Sequence, residues 1–187
     1  MCLVLSCVLA SSCLVFSQSH LEESRAVEVV VESIERVSHD EARFRLKISN
    51  RLDLQVFLAA YNLGAEPIPE LLFIEHWQPD EGWQIVAPCM DTPPASVMKL
   101  NPGDTITLQR RLVSGRSAVC RVRKVQFEKK FRFRLEYFDA AKKLRTYLES
   151  FPHFEGTKLE AKPRIAVSET FKIPSPPASS GTTRRGR

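Results

Sequence analysis

Residues able to do chemistry are thinly spread along this chain. Its four histidines, His20, His39, His76 and His153, fall near a terminus, in a polar turn, at the end of an apolar run and in a loop. None has a partner at metal-ligand spacing. His76 has acids close by, with Glu75 beside it and Asp80 and Glu81 shortly after. An imidazole and carboxylates converging in a cleft would supply general acid–base chemistry. The simpler reading of the same residues is a solvated turn. The sequence holds no HExxH, CxxC or GxSxG, and with only seven glycines it has no phosphate-cradling loop. The expectation is a non-enzymatic protein with no catalytic residue, no cofactor and no metal site.

Two other constellations concern binding and cross-linking. Trp77 and Trp83 flank the turn-forming cluster Gln78, Pro79, Asp80, Glu81 and Gly82. Partly exposed aromatics near a hairpin tip offer a surface on which a sugar or a protein ligand can stack, while the commoner use is packing against the domain edge. Cys89 and Cys120 are the two cysteines outside the first segment of the chain. In an oxidising compartment they form the only intramolecular pair, and their bond would stabilise by about 3 to 4 kcal/mol in the chain-entropy account. Strands that simply reverse direction would put them near opposite ends of the domain, so a disulfide and two buried free thiols both stand as readings.

These residues must be positioned by strands, because from Ala26 onward the apolar period is two. Val27, Val29 and Val31 alternate with Glu28 and Glu32, and Phe44, Leu46 and Ile48 alternate with Arg43, Arg45 and Lys47, across the polar turn Ser38–Glu41. Leu52 to Tyr61 reads as a central strand covered on both faces, after which Pro67 and Pro69 break the chain. Leu71–Trp77 and Trp83–Val86 form a second hairpin, followed by a proline-rich loop from Pro88 to Pro94. The turn Leu100–Asp104 feeds Ile106 and Leu108, and Phe131, Phe133, Leu135 and Tyr137 alternate with Arg132, Arg134 and Glu136. Ile165, Val167, Phe171 and Ile173 make a closing strand with these side chains inward. The connection 139–164 is too long for a bare loop. It carries either a short helix capped by Asp139 or an extra strand from Leu144 to Glu149.

The basic rows Arg43, Arg45, Lys47 and Lys130, Arg132, Arg134 belong to strands of different sheets and face away from each other, with Phe44, Phe131 and Phe133 turned inward. That geometry argues against nucleic-acid binding, which wants cations and aromatic platforms on one face. On this parity, replacing Phe133 by Ala costs about 3 to 5 kcal/mol and replacing Arg134 by Ala well under about 1 kcal/mol.

The whole is an all-β pattern of about seven or eight strands, suited to an antiparallel sandwich over residues 26–173. The LNPGD turn, the FRFRLEYF strand and the VSETFKI strand, between Leu100 and Ile173, resemble the back half of exported bacterial immunoglobulin-like or fibronectin-like sandwich modules. The resemblance implies the fold alone, since such sandwiches host many functions.

Residues 1–17, MCLVLSCVLASSCLVFS, carry no charge and read as a signal peptide cleaved near Gln18, with a membrane anchor or a lipid anchor on Cys13 as alternatives. Residues 18–25 form a short linker, and residues 174–187, without apolar periodicity, a disordered tail. The expected location is the periplasm, cell surface or extracellular space, with membrane association at the N-terminus if the leader is retained. Lys and Arg number 27 against 22 Asp and Glu, a net +5, which is a mild excess. The function expected is an interaction or structural module for a protein or glycan partner. An inhibitor or accessory domain for a secreted hydrolase and a carbohydrate-binding module using Trp77 and Trp83 are the alternatives.

Overall fold

The computed structural model describes residues 26–63, 66–86, 96–114, 125–149 and 161–176. The leader, the linker, Cys13, Cys89, Cys120 and residues 177–187 of the tail lie outside the described residues. The first part of the chain forms strands β1 (Val27–Arg36), β2 (Glu41–Asn50), β3 (Val56–Leu63), β4 (Glu66–Pro69), β5 (Leu72–Gln78) and β6 (Gly82–Ile85). Strands β7 (Ser96–Leu100), β8 (Thr105–Val113) and β9 (Lys130–Tyr137) follow, then helix α1 (Ala141–Glu149), β10 (Arg164–Val167) and β11 (Phe171–Lys172). Among the described residues the fold is all-β and antiparallel with one short helix, and it has more strands than the seven or eight expected, because several are short pieces that period-two counting merges or misses.

One sheet has the order β1-β2-β8, a second β10-β9-β5-β6 with β11 also on β9, and a third β4-β3-β7. Reciprocal backbone hydrogen bonds between Phe57 and Phe138, at 2.8 and 2.9 Å, stitch the third sheet to the second. The first sheet and this joined layer enclose the main core. Val29, Phe44, Leu46 and Ile48 meet Leu72, Phe131, Phe133 and Leu135, with Val56 and Leu58 at one end. Phe44 meets Phe133 edge-on at 5.2 Å, an arrangement aromatic quadrupoles favour.

A second, smaller core lies on the far side of the joined layer. Ala59, Leu71 and Phe138 are covered there by Leu144 and Tyr147 of α1. Strand β3 is therefore buried on both faces, as its unbroken apolar run implies: Val56 and Leu58 enter the main core, while Phe57 and Ala59 enter the second. The helical alternative holds for the connection after β9. Asp139 precedes α1 and its carboxylate accepts from Lys143 Nζ at 2.8 Å, while Leu144 and Tyr147, three apart, share the buried face.

The turn before β8 forms as its residues dictate. Asp104 Oδ2 accepts from the Asn101 backbone N–H at 2.7 Å and its side-chain amide at 2.9 Å, and Gly103 takes φ +83°, which suits a residue without Cβ.

Two local expectations are corrected. Pro67 and Pro69 do not break the chain but lie in β4, a strand at the edge of its sheet, where a missing N–H disrupts no inner ladder. Ile165 and Val167 face outward, 53% and 47% exposed, while Ala166 and Ser168 face in. The closing strand is interrupted at Ser168, whose Oγ accepts from Phe133 N at 2.9 Å. The register on β9 shifts by one residue across that break, from Val167 opposite Arg134 to Phe171 opposite Phe131.

Candidate functional site

Strands β5 and β6 meet in the hairpin the sequence implies, Trp77 opposite Trp83 and Gly82 at the turn with φ +72°. Alternation along β5 sends Phe73, Glu75 and Trp77 to the outer face of the second sheet and Ile74 and His76 toward the main core. Adjacent Glu75 and His76 therefore face opposite sides of the strand. Asp80 and Glu81 are exposed at the hairpin turn. The acid–base constellation around His76 does not assemble. Burial first, and then Lys129, lower the His76 pKa, with Glu81 opposing. Its Nε2 lies 3.0 Å from the Gln78 side-chain amide, and its buried Nδ1 has no hydrogen-bond partner among the described residues.

Trp77 and Trp83 do come together. Their rings are 5.5 Å apart at 68°, with Trp77 42% exposed. Arg132, from β9, lays its guanidinium 4.3 Å above the Trp83 ring, and its Nε donates to Glu75 Oε2 at 2.7 Å. Glu75 is almost wholly buried, and its Oε1 also accepts from Arg134 Nη1 at 3.4 Å. Arg134 Nη2 donates in turn to Glu136 Oε1, and Tyr147 O–H donates to Glu136 Oε2 at 2.9 Å. A polar ladder thus runs from the tryptophan hairpin to the helix: Trp83, Arg132, Glu75, Arg134, Glu136, Tyr147. Burial, the Glu136 charge and this hydrogen bond all push the Tyr147 phenol well above the ordinary tyrosine range, against an opposing effect of Arg134.

This ladder corrects the expectation that the outward Arg134 contributes little. Arg132 and Arg134 do sit on the outer face, but their side chains are only 24% exposed, held against carboxylates that the helix and the aromatic rings shield. A cue was present in the alternation of signs, Glu75 on one strand and Arg132, Arg134 and Glu136 on the next, but pairing them needs the β5–β9 register. The first basic row behaves as expected. Arg45 pairs with Glu32 at 3.0 Å, and the arginine is 61% exposed. Sequence reasoning also missed Arg110, which shares the inward parity of Ile106 and Leu108 on β8. Its Nη2 donates to the Pro69 carbonyl, and burial lowers its pKa against the opposing charge of Glu70.

At the other end of α1, an open groove of about 760 Å³ is lined by Leu54, Gln55, Phe57, Asp139, Ala140 and Lys143, among others. The Asp139 carboxylate there is engaged by Lys143 and Arg164. Among the described residues, no group of three or more His, Cys, Asp or Glu side chains is placed to hold a metal ion, and no helix is long and apolar enough to cross a membrane. The chain matches no protein-family model and no curated protein.

Proposed function

We propose that this chain is a non-enzymatic, exported interaction module, an immunoglobulin-like sandwich that docks a protein partner on the outer face of the β10-β9-β5-β6 sheet. The exposed Trp77 ring beside the Arg132–Trp83 stack carries the reading. Tryptophan and arginine are the residues on which binding energy concentrates at protein interfaces, and exposing a large ring without a partner is unfavourable. The uncharged apolar stretch 1–17 supports export, and the first sheet and the joined layer closing on the main core support the sandwich.

A protein fits this face better than a glycan. Flat sugar rings stack on open aromatic faces, whereas here the two indoles meet edge-on and the Trp83 face lies under Arg132. Val167 and Ile165, exposed on β10 of the same sheet, extend the apolar contact that a protein would cover.

The test replaces Trp77 with a photo-crosslinking phenylalanine analogue and, as a control, places the same analogue at Val30 on the first sheet. The expected result is a crosslinked protein at position 77 only, which, identified by mass and purified, binds wild type at least about tenfold more tightly than Trp77→Ala. Equal affinity for the two would overturn the docking face. Intact mass of the exported chain checks the leader: a start near Gln18 is expected, and retained Met1 would refute cleavage.

A further inference from the structure

The outer face of the second sheet has a charge arrangement that its own folding does not explain. Lys130 on β9 and Lys172 on β11 are direct cross-strand neighbours, both exposed. Neither makes an ion pair among the described residues. Like charges placed opposite each other on adjacent strands destabilise a sheet. Two positions along β9, on the same face, stands Arg132.

Arg132 is held unusually well for a surface arginine. Its Nε is fixed by Glu75 and its plane by Trp83, so little side-chain freedom is left to lose on binding. Its Nη groups have no hydrogen-bond acceptor among the described residues. Arg134 differs, since both its Nη groups are engaged, one by Glu75 and the other by Glu136.

Lys130, Arg132, Arg134 and Lys172 share the face with Glu75, Glu136 and the exposed Glu169 in the β10–β11 break. Glu75 and Glu136 are buried beneath the arginines, at 3% and 5% exposure. An approaching molecule therefore meets Lys130, Arg132 and Lys172 on the strands with Trp77 beside them, while the exposed acids are Glu169 and, at the hairpin turn, Asp80 and Glu81.

We infer that this face recognises an acidic protein segment. A carboxylate of the partner seats on the Nη edge of Arg132, near the Lys130–Lys172 pair, and an adjacent apolar side chain packs on Trp77. The inference rests on the docking reading above and specifies the chemistry of the partner. Planar guanidinium with free N–H groups matches a carboxylate, and the charge-assisted bonds it forms are the stronger kind. The lysine pair is then relieved of its mutual repulsion only in the complex. A single-stranded nucleic acid would also meet positive charge here, but it needs successive open aromatic faces, and the Trp83 face is already taken by Arg132.

The chain has two tryptophans and both are at this site, so fluorescence excited selectively at tryptophan, leaving out the three tyrosines, reports on it alone. The probes are a short synthetic peptide of Glu, Leu and Ser, its Gln-for-Glu counterpart, and a single-stranded oligothymidylate. The Glu peptide is expected to give a saturable fluorescence change that weakens as salt rises from about 50 to about 300 mM. The double variant Lys130→Gln/Lys172→Gln, whose side chains are exposed and make no ion pair among the described residues, should melt no lower than wild type and bind the Glu peptide at least about threefold more weakly. Arg132→Lys keeps the charge but loses the fork, and should weaken binding further.

Equal binding of the Gln peptide, no saturable response to the Glu peptide, or tighter binding of the oligothymidylate would each overturn the inference. The purified partner of the crosslinking experiment separates the two readings. If Lys130→Gln/Lys172→Gln binds it normally while Trp77→Ala does not, the acidic-segment inference fails and the docking face stands. If Trp77→Ala also binds it normally, the docking face fails.

Discussion

Replacing Arg134 by Ala tests the ladder on the outer face most directly, because parity alone and the folded structure give opposite answers. An outward arginine on a strand, judged by alternation, is a solvated side chain whose loss costs well under about 1 kcal/mol. In the folded chain its guanidinium lies between two carboxylates whose side chains are only 4% and 6% exposed. A charge-assisted hydrogen bond contributes about 1.5 to 3 kcal/mol, and stranding a buried charge by removing its partner costs about 3 to 5 kcal/mol. The upper figure is too large here. Arg132 still holds Glu75, Tyr147 still holds Glu136, and the 3.4 Å contact to Glu75 is long. The expected loss is therefore about 2 to 3 kcal/mol, most of it at Glu136. Arg45→Ala on the first sheet also breaks an ion pair, but an exposed one, and should cost at most about 1 kcal/mol. Urea denaturation followed by far-UV circular dichroism reads both. Adding Glu136→Gln to Arg134→Ala removes the stranded charge while leaving an acceptor for Tyr147, and should recover more than half of the loss. If Arg134→Ala unfolds at the same urea concentration as Arg45→Ala, the buried ladder is wrong. If the second substitution gives no recovery, the cost does not come from Glu136.

Phe133→Ala, which removes a ring 2% exposed and packed on Phe44 and Phe171, should cost about 3 to 5 kcal/mol in the same assay, and a loss under about 1 kcal/mol would contradict its place in the core. Burial raises the pKa of both Tyr137 and Tyr147, so above the ordinary phenol value of about 10 the unfolded chain releases protons that the folded chain keeps. Stability should be intact below that pH and fall above it, and Tyr147→Phe should make the fall shallower in alkaline denaturant titrations. His76 is lowered by burial and Lys129, so the unfolded chain takes up its proton first as pH drops below about 6.5. Stability from this group is present above that value and is lost as pH falls toward the folded pKa. His76→Gln should lose less stability between about pH 7 and about pH 5 than wild type, and equal losses would remove His76 from the account.

Where the sequence was legible, one physical signal decided the matter locally. Val27, Val29 and Val31 against Phe44, Leu46 and Ile48 gave the first hairpin, and the apolar run ending at Tyr61 gave a strand covered on two sides. The Asn101–Asp104 turn followed from side-chain chemistry four residues wide. Failures came where the deciding partner was far away in sequence. Nothing near Ser168 announces that its hydroxyl will accept from the Phe133 N–H, or that the register on β9 will differ by one residue across it, so Ile165 and Val167 share the outward side of Glu136 and Arg134 while Phe171 faces in. The site was legible by half. Two tryptophans around a turn are visible as a candidate surface, but the arginine that covers one of them comes from β9, and adjacency in sequence groups its anchor Glu75 with His76 instead. Adjacent residues on a strand face apart, so that grouping was the one arrangement a strand forbids.

The ladder bears on why the tryptophan face has the form it does. Burying Glu75 and Glu136 costs desolvation that their arginines offset only with good geometry, and apolar residues of similar size at these positions would stabilise a sheet as well or better. Stability therefore does not account for the choice of residues. The ladder supplies something leucine or valine would not: it fixes the Arg132 guanidinium over Trp83 through its Nε bond to Glu75, and it ties that placement through Arg134 and Glu136 to Tyr147 on the helix. The first sheet shows the contrast. Its ion pairs Arg43–Glu41, Arg111–Glu41, Arg45–Glu32 and Arg51–Glu28 have arginines more than half exposed, and the one arginine of this sheet that lies over a ring, Arg36 on Phe127, is not among them. A chain selected only to keep its outer surfaces soluble would treat the two faces alike. Here one face carries ion pairs whose arginines are more than half exposed, with Glu41 shared by Arg43 and Arg111. The other carries a connected ladder that ends beside the only tryptophans in the sequence, and this asymmetry is what directs the search for a partner to the second face.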